Sequence, residues 1–137
     1  MSEPTFDFRV HDERLAIARL AKDAAFPAWA QGGFVTISRT VDELSIVCAQ
    51  RHVPTDVRCE RDRIAIGIAG VVPMTTVGLL ASLCGALAAA RVPVFVISTF
   101  DTDWVLVPSE RTADASAAWR KAGFVVTPSS LSGGLHR

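Results

Sequence analysis

The apolar residues of this chain fall into a strand rhythm broken twice by a helical one. Arg14–Ala21 (RLAIARLA) is a strand candidate, with apolar residues recurring along at least one face. Phe34–Ser38 and LSIVCA, joined by RTVDE, predict a second and a third strand, and KDAAFPAWAQGG before them predicts a short helical or turn segment. An extended stretch through Cys59 leads into a long strand, Arg63–Gly70 (RIAIGIAG). A helix is expected from Val77 to Ala90 with Thr75 or Thr76 as its N-cap, then a hairpin, VPVFVIS and DWVLV. A second helix, Glu110–Ala122, carries Ala115, Ala118, Trp119 and Ala122 on one face. Arg120 and Lys121 sit in its last turn and Gly123 just beyond, where the dipole and a left-handed cap favour them. FVV is the last strand, and the tail TPSSLSGGLHR is expected to fray.

Two pairs of segments resemble each other. RLAIARLA returns as RIAIGIAG 49 residues later, and Ile37–Val47 (ISRTVDELSIV) returns as Ile97–Val107 (ISTFDTDWVLV) 60 residues later. A shorter first helix in the first repeat absorbs the difference. Each half then follows the order β-α-β-β-α-β, an α+β, ferredoxin-like unit. The expected organisation is a first repeat at 1–61, a second at 62–128 packed beside it, and a flexible tail at 129–137.

The Val77–Ala90 helix has Val77, Leu80, Cys84 and Leu87 on one side and Leu79, Leu83 and Ala90 on another. Apolar all round, it is expected to be buried on both sides, between its own sheet and the other repeat or a second subunit. The small residues Ala81, Ser82, Gly85, Ala88 and Ala89 would let a neighbouring backbone approach, and a homodimer is expected.

Composition narrows the function. Half the residues are apolar and 20% are charged, which suits a globular domain with a proper core. Fourteen basic residues balance fourteen acidic ones without a run of either sign, so nothing marks a nucleic-acid or anionic-membrane partner. The polar, acidic N-terminus does not look like a secretory signal, and the one helical apolar run is too short for a bilayer. A cytoplasmic protein is expected. Cys48, Cys59 and Cys84 are far apart and, with the scattered His11, His52 and His136, show no metal-ligand spacing, so free thiols and no metal or cofactor are expected.

The stretch Ser98–Asp103 (STFDTD) is unusual between two apolar strands. Thr and Asp close turns through side-chain-to-backbone hydrogen bonds. That accounts for one Asp and one Thr, less well for six consecutive polar-rich residues, and a wall of a binding site remains the other explanation.

GGFVTISRTVDELSIVC, the Gly70–Gly78 spacing followed by LLASLCGALAAARVPVFVISTFDTDWVLV, and AWRKAGF resemble the bacterial ACT-domain proteins related to the CASTOR arginine sensors. The resemblance runs from about Arg14 to Val126, and ISTFDTDWVLV is its most specific part. It implies tandem ACT units that bind a small ligand, usually an amino acid, and regulate without catalysis. Carried over, the site comprises Gly70, Val71, Val72, Thr76, Gly78 and Leu79 in the loop and helix start, with Ser98, Thr99, Phe100, Asp101, Thr102 and Asp103 in the hairpin. Ser38, Arg39 and Thr40 are the first unit's counterparts. The helix start would meet a carboxylate and Asp103 or Asp101 an ammonium. The alternatives are a dimerisation module without ligand, or a small enzyme using Asp101 and Asp103. No nucleophile elbow, Walker loop, GxGxxG or HExxH supports the latter.

Overall fold

The computed structural model describes residues 6–129, which form two compact units. One comprises residues 13–63. The other comprises residues 64–129 together with the N-terminal stretch through Asp12.

Strands β1 (Asp7–His11) and β2 (Leu15–Leu20) begin the chain, followed by β3 (Thr36–Arg39), β4 (Leu44–Ala49) and the long β5 (Cys59–Ile68). Within residues 13–63 the sheet order is β3-β4-β2-β5, antiparallel throughout, with the first half of β5 at its edge. Ala16, Ala18, Leu44, Ile46, Cys48 and Val53 make its core, and Trp29 packs on it from the preceding loop. Of the helix or turn anticipated after β2, the structure has turns. Residues 22–33 are a run of single turns, with Ala24, Ala30 and Gln31 N–H groups donating to Ala21, Pro27 and Trp29 carbonyls. Pro27 lacks the amide that a continuing helix needs, and so short a segment cannot repay helix nucleation. Between β4 and β5 there is likewise only a 3₁₀ turn at Gln50–His52. The helical half of the repeat pattern therefore does not recur in this unit.

The second unit continues from β5 into α1 (Leu79–Ala89), the hairpin β6 (Phe95–Ser98) and β7 (Asp103–Pro108), α2 (Thr112–Lys121) and β8 (Val125–Ser129). This is the β-α-β-β-α-β order, but its sheet runs β6-β7-β5-β1-β8. The N-terminal strand β1, which sequence patterning left unassigned, stands between β5 and β8. It is antiparallel to β5 (Phe8 opposite Ile68) and parallel to β8 (Phe8 opposite Val126). Phe6, Phe8 and Val10 alternate with polar residues, a period-2 signal that an acidic N-terminus obscured. Phe8 is 1% exposed and meets Trp119 edge-on and Phe124 face-on, each at 4.7 Å between centroids.

Trp119 is the largest buried side chain, as its helix face predicted, and its indole N–H donates to Leu83 O at 2.9 Å, tying α2 to α1. Arg111 donates to the carbonyls of Ala90 and Arg91 (3.1 Å each), closing the C-terminus of α1. Helix α1 is not buried all round. Leu83 and Leu87 are buried, Leu80 is 36% exposed, and Val77 lies outside the helix at 94% exposure. One face covers the sheet; the face with Ala81, Gly85, Ala88 and Ala89 is open. Its N-cap is neither threonine but Gly78, whose φ of 87° is the left-handed conformation that glycine adopts without steric cost. No helix among the described residues is long and apolar enough to cross a membrane.

Candidate functional site

The polar end of the β6–β7 hairpin is built from its own hydrogen bonds. Ser98 and Asp103 face each other across the ladder, and Ser98 Oγ donates to Asp103 Oδ1 at 2.5 Å. The Thr99 amide (2.8 Å) and hydroxyl (3.1 Å) both donate to Thr102 O, closing the turn. Two further bonds dock the turn onto the loop after β5. The Thr102 hydroxyl donates to Ile68 O at 2.8 Å, and the Val72 amide donates to Asp101 O at 2.6 Å. Much of the hydroxyl content of STFDTD is thus consumed in holding hairpin and loop together, which the turn explanation anticipated.

What remains is a concavity of about 430 Å³. The loop and helix start contribute Val72, Thr76, Gly78 and Leu79, and the hairpin contributes Ser98, Thr99, Phe100, Thr102 and Asp103. Sequence reasoning missed Pro73, Met74, Leu80 and Ala81, which also line it. Leu80 and Ala81 follow Leu79 around the first turn of α1, so the helix start itself was their signal. The wall is mainly apolar, and its one ionisable side chain is Asp103.

Asp103 is half-buried, and no cation pairs with it among the described residues. Its charge reaches Cys84 on α1: burial pushes that thiol's pKa up and the nearby carboxylate adds to the effect. The start of α1 has no side-chain cap, and its first internal bond runs from the Ser82 amide to Gly78 O at 3.0 Å. The amides before Ser82 have no acceptor within the helix and carry the positive end of its dipole. A concavity with a carboxylate and a helix start on its wall, and otherwise apolar surface, can hold a small zwitterion with an apolar body.

Several anticipated residues lie elsewhere. Gly70 and Asp101 line a separate cavity of about 330 Å³ with His11, Gly67 and Trp104. Asp101 and Asp103 therefore line different cavities. Val71 lines a third concavity with Phe6, Val77 and Phe124. Ser38, Arg39 and Thr40 belong to the other unit and have structural duties there. Ser38 pairs with Ser45, and the Thr40 hydroxyl accepts from the Asp42 and Glu43 amides (3.1 Å each). Arg39 donates to the carbonyls of Lys22 and Ala24 and lies over the Phe26 ring, 5.2 Å from its centroid. Among the described residues no three His, Cys, Asp or Glu side chains converge as a metal site would require.

This arrangement is that of an ACT-like ferredoxin-type fold, and the family profile of the ACT domain matches residues 58–121. A second profile, for an N-terminal domain, matches residues 13–56. The chain is 34% identical to a structural-genomics protein of Agobacterium tumefaciens, covering 93% of this chain and 96% of that one, with a TM-score of 0.86. It belongs to the same family as that protein, and residues 58–121 match the ACT-domain profile. A Vibrio cholerae protein, described as of unknown function and a possible transport protein, aligns at 15% identity over 85% of this chain and 89% of that one (TM-score 0.68). The regulatory subunit of aspartate kinase from Thermus flavus aligns at 12% identity over 84% of this chain and 95% of its own (TM-score 0.60). At those identities the likeness is one of fold. No curated protein matches the sequence.

Proposed function

We propose that this protein is a non-catalytic regulatory module that binds a small amino acid in the concavity between the Val72–Leu79 segment and the Ser98–Asp103 hairpin. The observation that carries the reading is Asp103: a half-buried carboxylate with no cation partner among the described residues, on an otherwise apolar wall that ends at the uncapped start of α1. In this arrangement Asp103 takes the ligand's ammonium, the first amides of α1 take its carboxylate, and Met74, Leu79 and Phe100 cover an apolar side chain. The hydroxyls of Thr99 and Thr102 hold the turn, so the neutral contacts fall to Ser98 and the backbone. The ACT match at residues 58–121 supports the regulatory reading.

The test is calorimetric titration with the twenty amino acids, followed by Asp103→Asn on whichever binds. Losing a charge-assisted bond costs about 1.5–3 kcal/mol, a fall in affinity of roughly ten- to 150-fold. Ser98 still finds an acceptor in the amide oxygen, so the fold is kept. Binding unaltered by Asp103→Asn sinks the assignment.

A second reading, a dimerisation module, is favoured by a different observation. Val71, Met74, Val77 and Phe100 are 70–94% exposed around the same loop and hairpin, and the open face of α1 is alanine-rich. Light scattering at tens of micromolar separates the two: a species near twice 14.7 kDa that persists in Asp103→Asn supports self-association, and a monomer rejects it.

A further inference from the structure

The unit formed by residues 13–63 has a cavity of its own, about 430 Å³, whose character is opposite to that of the ACT-domain concavity. Glu13, Arg14, Gln50, Arg51, Thr55 and Arg61 line it, with Val53 its one apolar side chain. Three guanidiniums on one small cavity repel one another unless answered by negative charge. Two are answered. Arg51 pairs with Glu13, a carboxylate only 9% exposed, which also accepts from the Gly33 amide at 3.4 Å. Arg14 donates to Asp62 Oδ1 at 3.0 Å.

The third is not. Arg61 Nη2 donates to the Val53 and Pro54 carbonyls at 3.2 and 2.9 Å, both neutral acceptors, and no carboxylate pairs with it among the described residues. The cavity thus carries a guanidinium that is anchored in direction and has no ion pair of its own, sharing the field of the Asp62 carboxylate that Arg14 already holds. Its surroundings are fixed by a side-chain network. Gln50 Nε2 donates to Asp62 Oδ1 at 3.0 Å and Gln50 Oε1 accepts from the Asp62 amide at 2.5 Å. Asp62 holds a φ of 58° beside the register shift in the β2–β5 ladder. A left-handed aspartate at a strand irregularity costs stability, and here it is held by both ends of one glutamine.

We propose that this cavity binds a small multiply charged oxyanion, the phosphate group or paired carboxylates of a metabolite, with Arg61 as the principal cation and Arg14, Arg51 and Thr55 around it. Planar guanidiniums accept such groups through paired N–H donors, which a lysine cannot reproduce. The site lies in a different unit from the amino-acid concavity and stands or falls independently of it.

The test is an amide NMR titration of the full chain at low salt, with inorganic phosphate and succinate in separate arms. Saturable shifts at Gly33, Gln50 and Asp62 in either arm are expected, and the responding arm identifies the oxyanion class. Arg61→Gln should weaken binding at least about tenfold, while Arg9→Gln, in the other unit, should leave it unchanged. Because Arg61 also braces the Val53–Pro54 backbone, Arg61→Lys is the companion variant: it keeps the charge and should lose affinity while melting like the parent. Absence of saturable shifts in both arms, or equal loss in Arg9→Gln and Arg61→Gln, overturns the proposal.

Discussion

Gly67 and Trp104 are in direct contact across the β5–β7 pair: a Cβ placed on Gly67 would stand 2.8 Å from Cε3 and Cζ3 of the indole. The glycine is there so that the tryptophan can lie flat on the strand, beside His11 at 5.2 Å between rings. Gly67→Ala should therefore destabilise the protein by about 1–3 kcal/mol, the usual range for a forced overpacking. Urea unfolding checks this. The double variant Gly67→Ala/Trp104→Leu should recover part of the loss, because the smaller side chain can yield where the ring cannot.

Phe8 is predicted to matter more than any other residue of the N-terminal stretch. Its ring fills the space between Trp119 and Phe124, and it anchors β1 between β5 and β8. Phe8→Ala should cost about 3–5 kcal/mol, as aromatic truncations in closed cores do. Val10, on the same side of β1, is only half-buried, and Val10→Ala should cost visibly less in the same denaturation experiment.

Stability should fall below neutral pH because of His11. Burial pushes its imidazole pKa below the ordinary value, opposed by Asp12 and reinforced by Arg9, and its Nδ1 is buried without a hydrogen-bond partner among the described residues. A depressed histidine pKa means that the unfolded chain takes up the proton first. The contribution is whole above about pH 6.5 and is lost as pH falls from there toward the folded-state value. Denaturant midpoints measured from pH 7.5 to 5 should decline in the parent and decline less in His11→Gln. The depressed Asp62 carboxyl, held down first by Gln50 and then by Arg14, acts in a separate, more acidic window. Equal slopes in parent and variant would assign the decline to other groups.

Local pattern determined much of this protein. Apolar runs placed β2, β4 and β7 within a residue, began β5 four residues late and β6 three residues early, and the Ala115/Trp119 face and Gly123 located α2. These features depend on neighbours in sequence, and a residue's own face is legible there. The convergence of the Gly70–Gly78 loop with the Ser98–Asp103 hairpin was also legible, through the family resemblance rather than through periodicity, although Gly70, Val71 and Asp101 turn into other cavities.

Long-range pairing decided the rest. Whether Thr99 and Thr102 faced a ligand or their own backbone depended on which carbonyls the fold brought within 3 Å, Thr102's own and that of Ile68. Of the helix or turn expected at residues 22–33 the turn prevailed, because Pro27 and the short span outweighed the alanines. The apolar sequence of α1 promised burial on two sides; within the single chain its sheet takes one, and Val77 and Leu80 stay exposed where the other repeat or a second subunit was the expected cover. The place of β1 was beyond any local rule. Strand propensity tells a segment to be extended; the partner is chosen by the edge on which Phe8 can close over Trp119 and Phe124, and only the assembled sheet provides that edge.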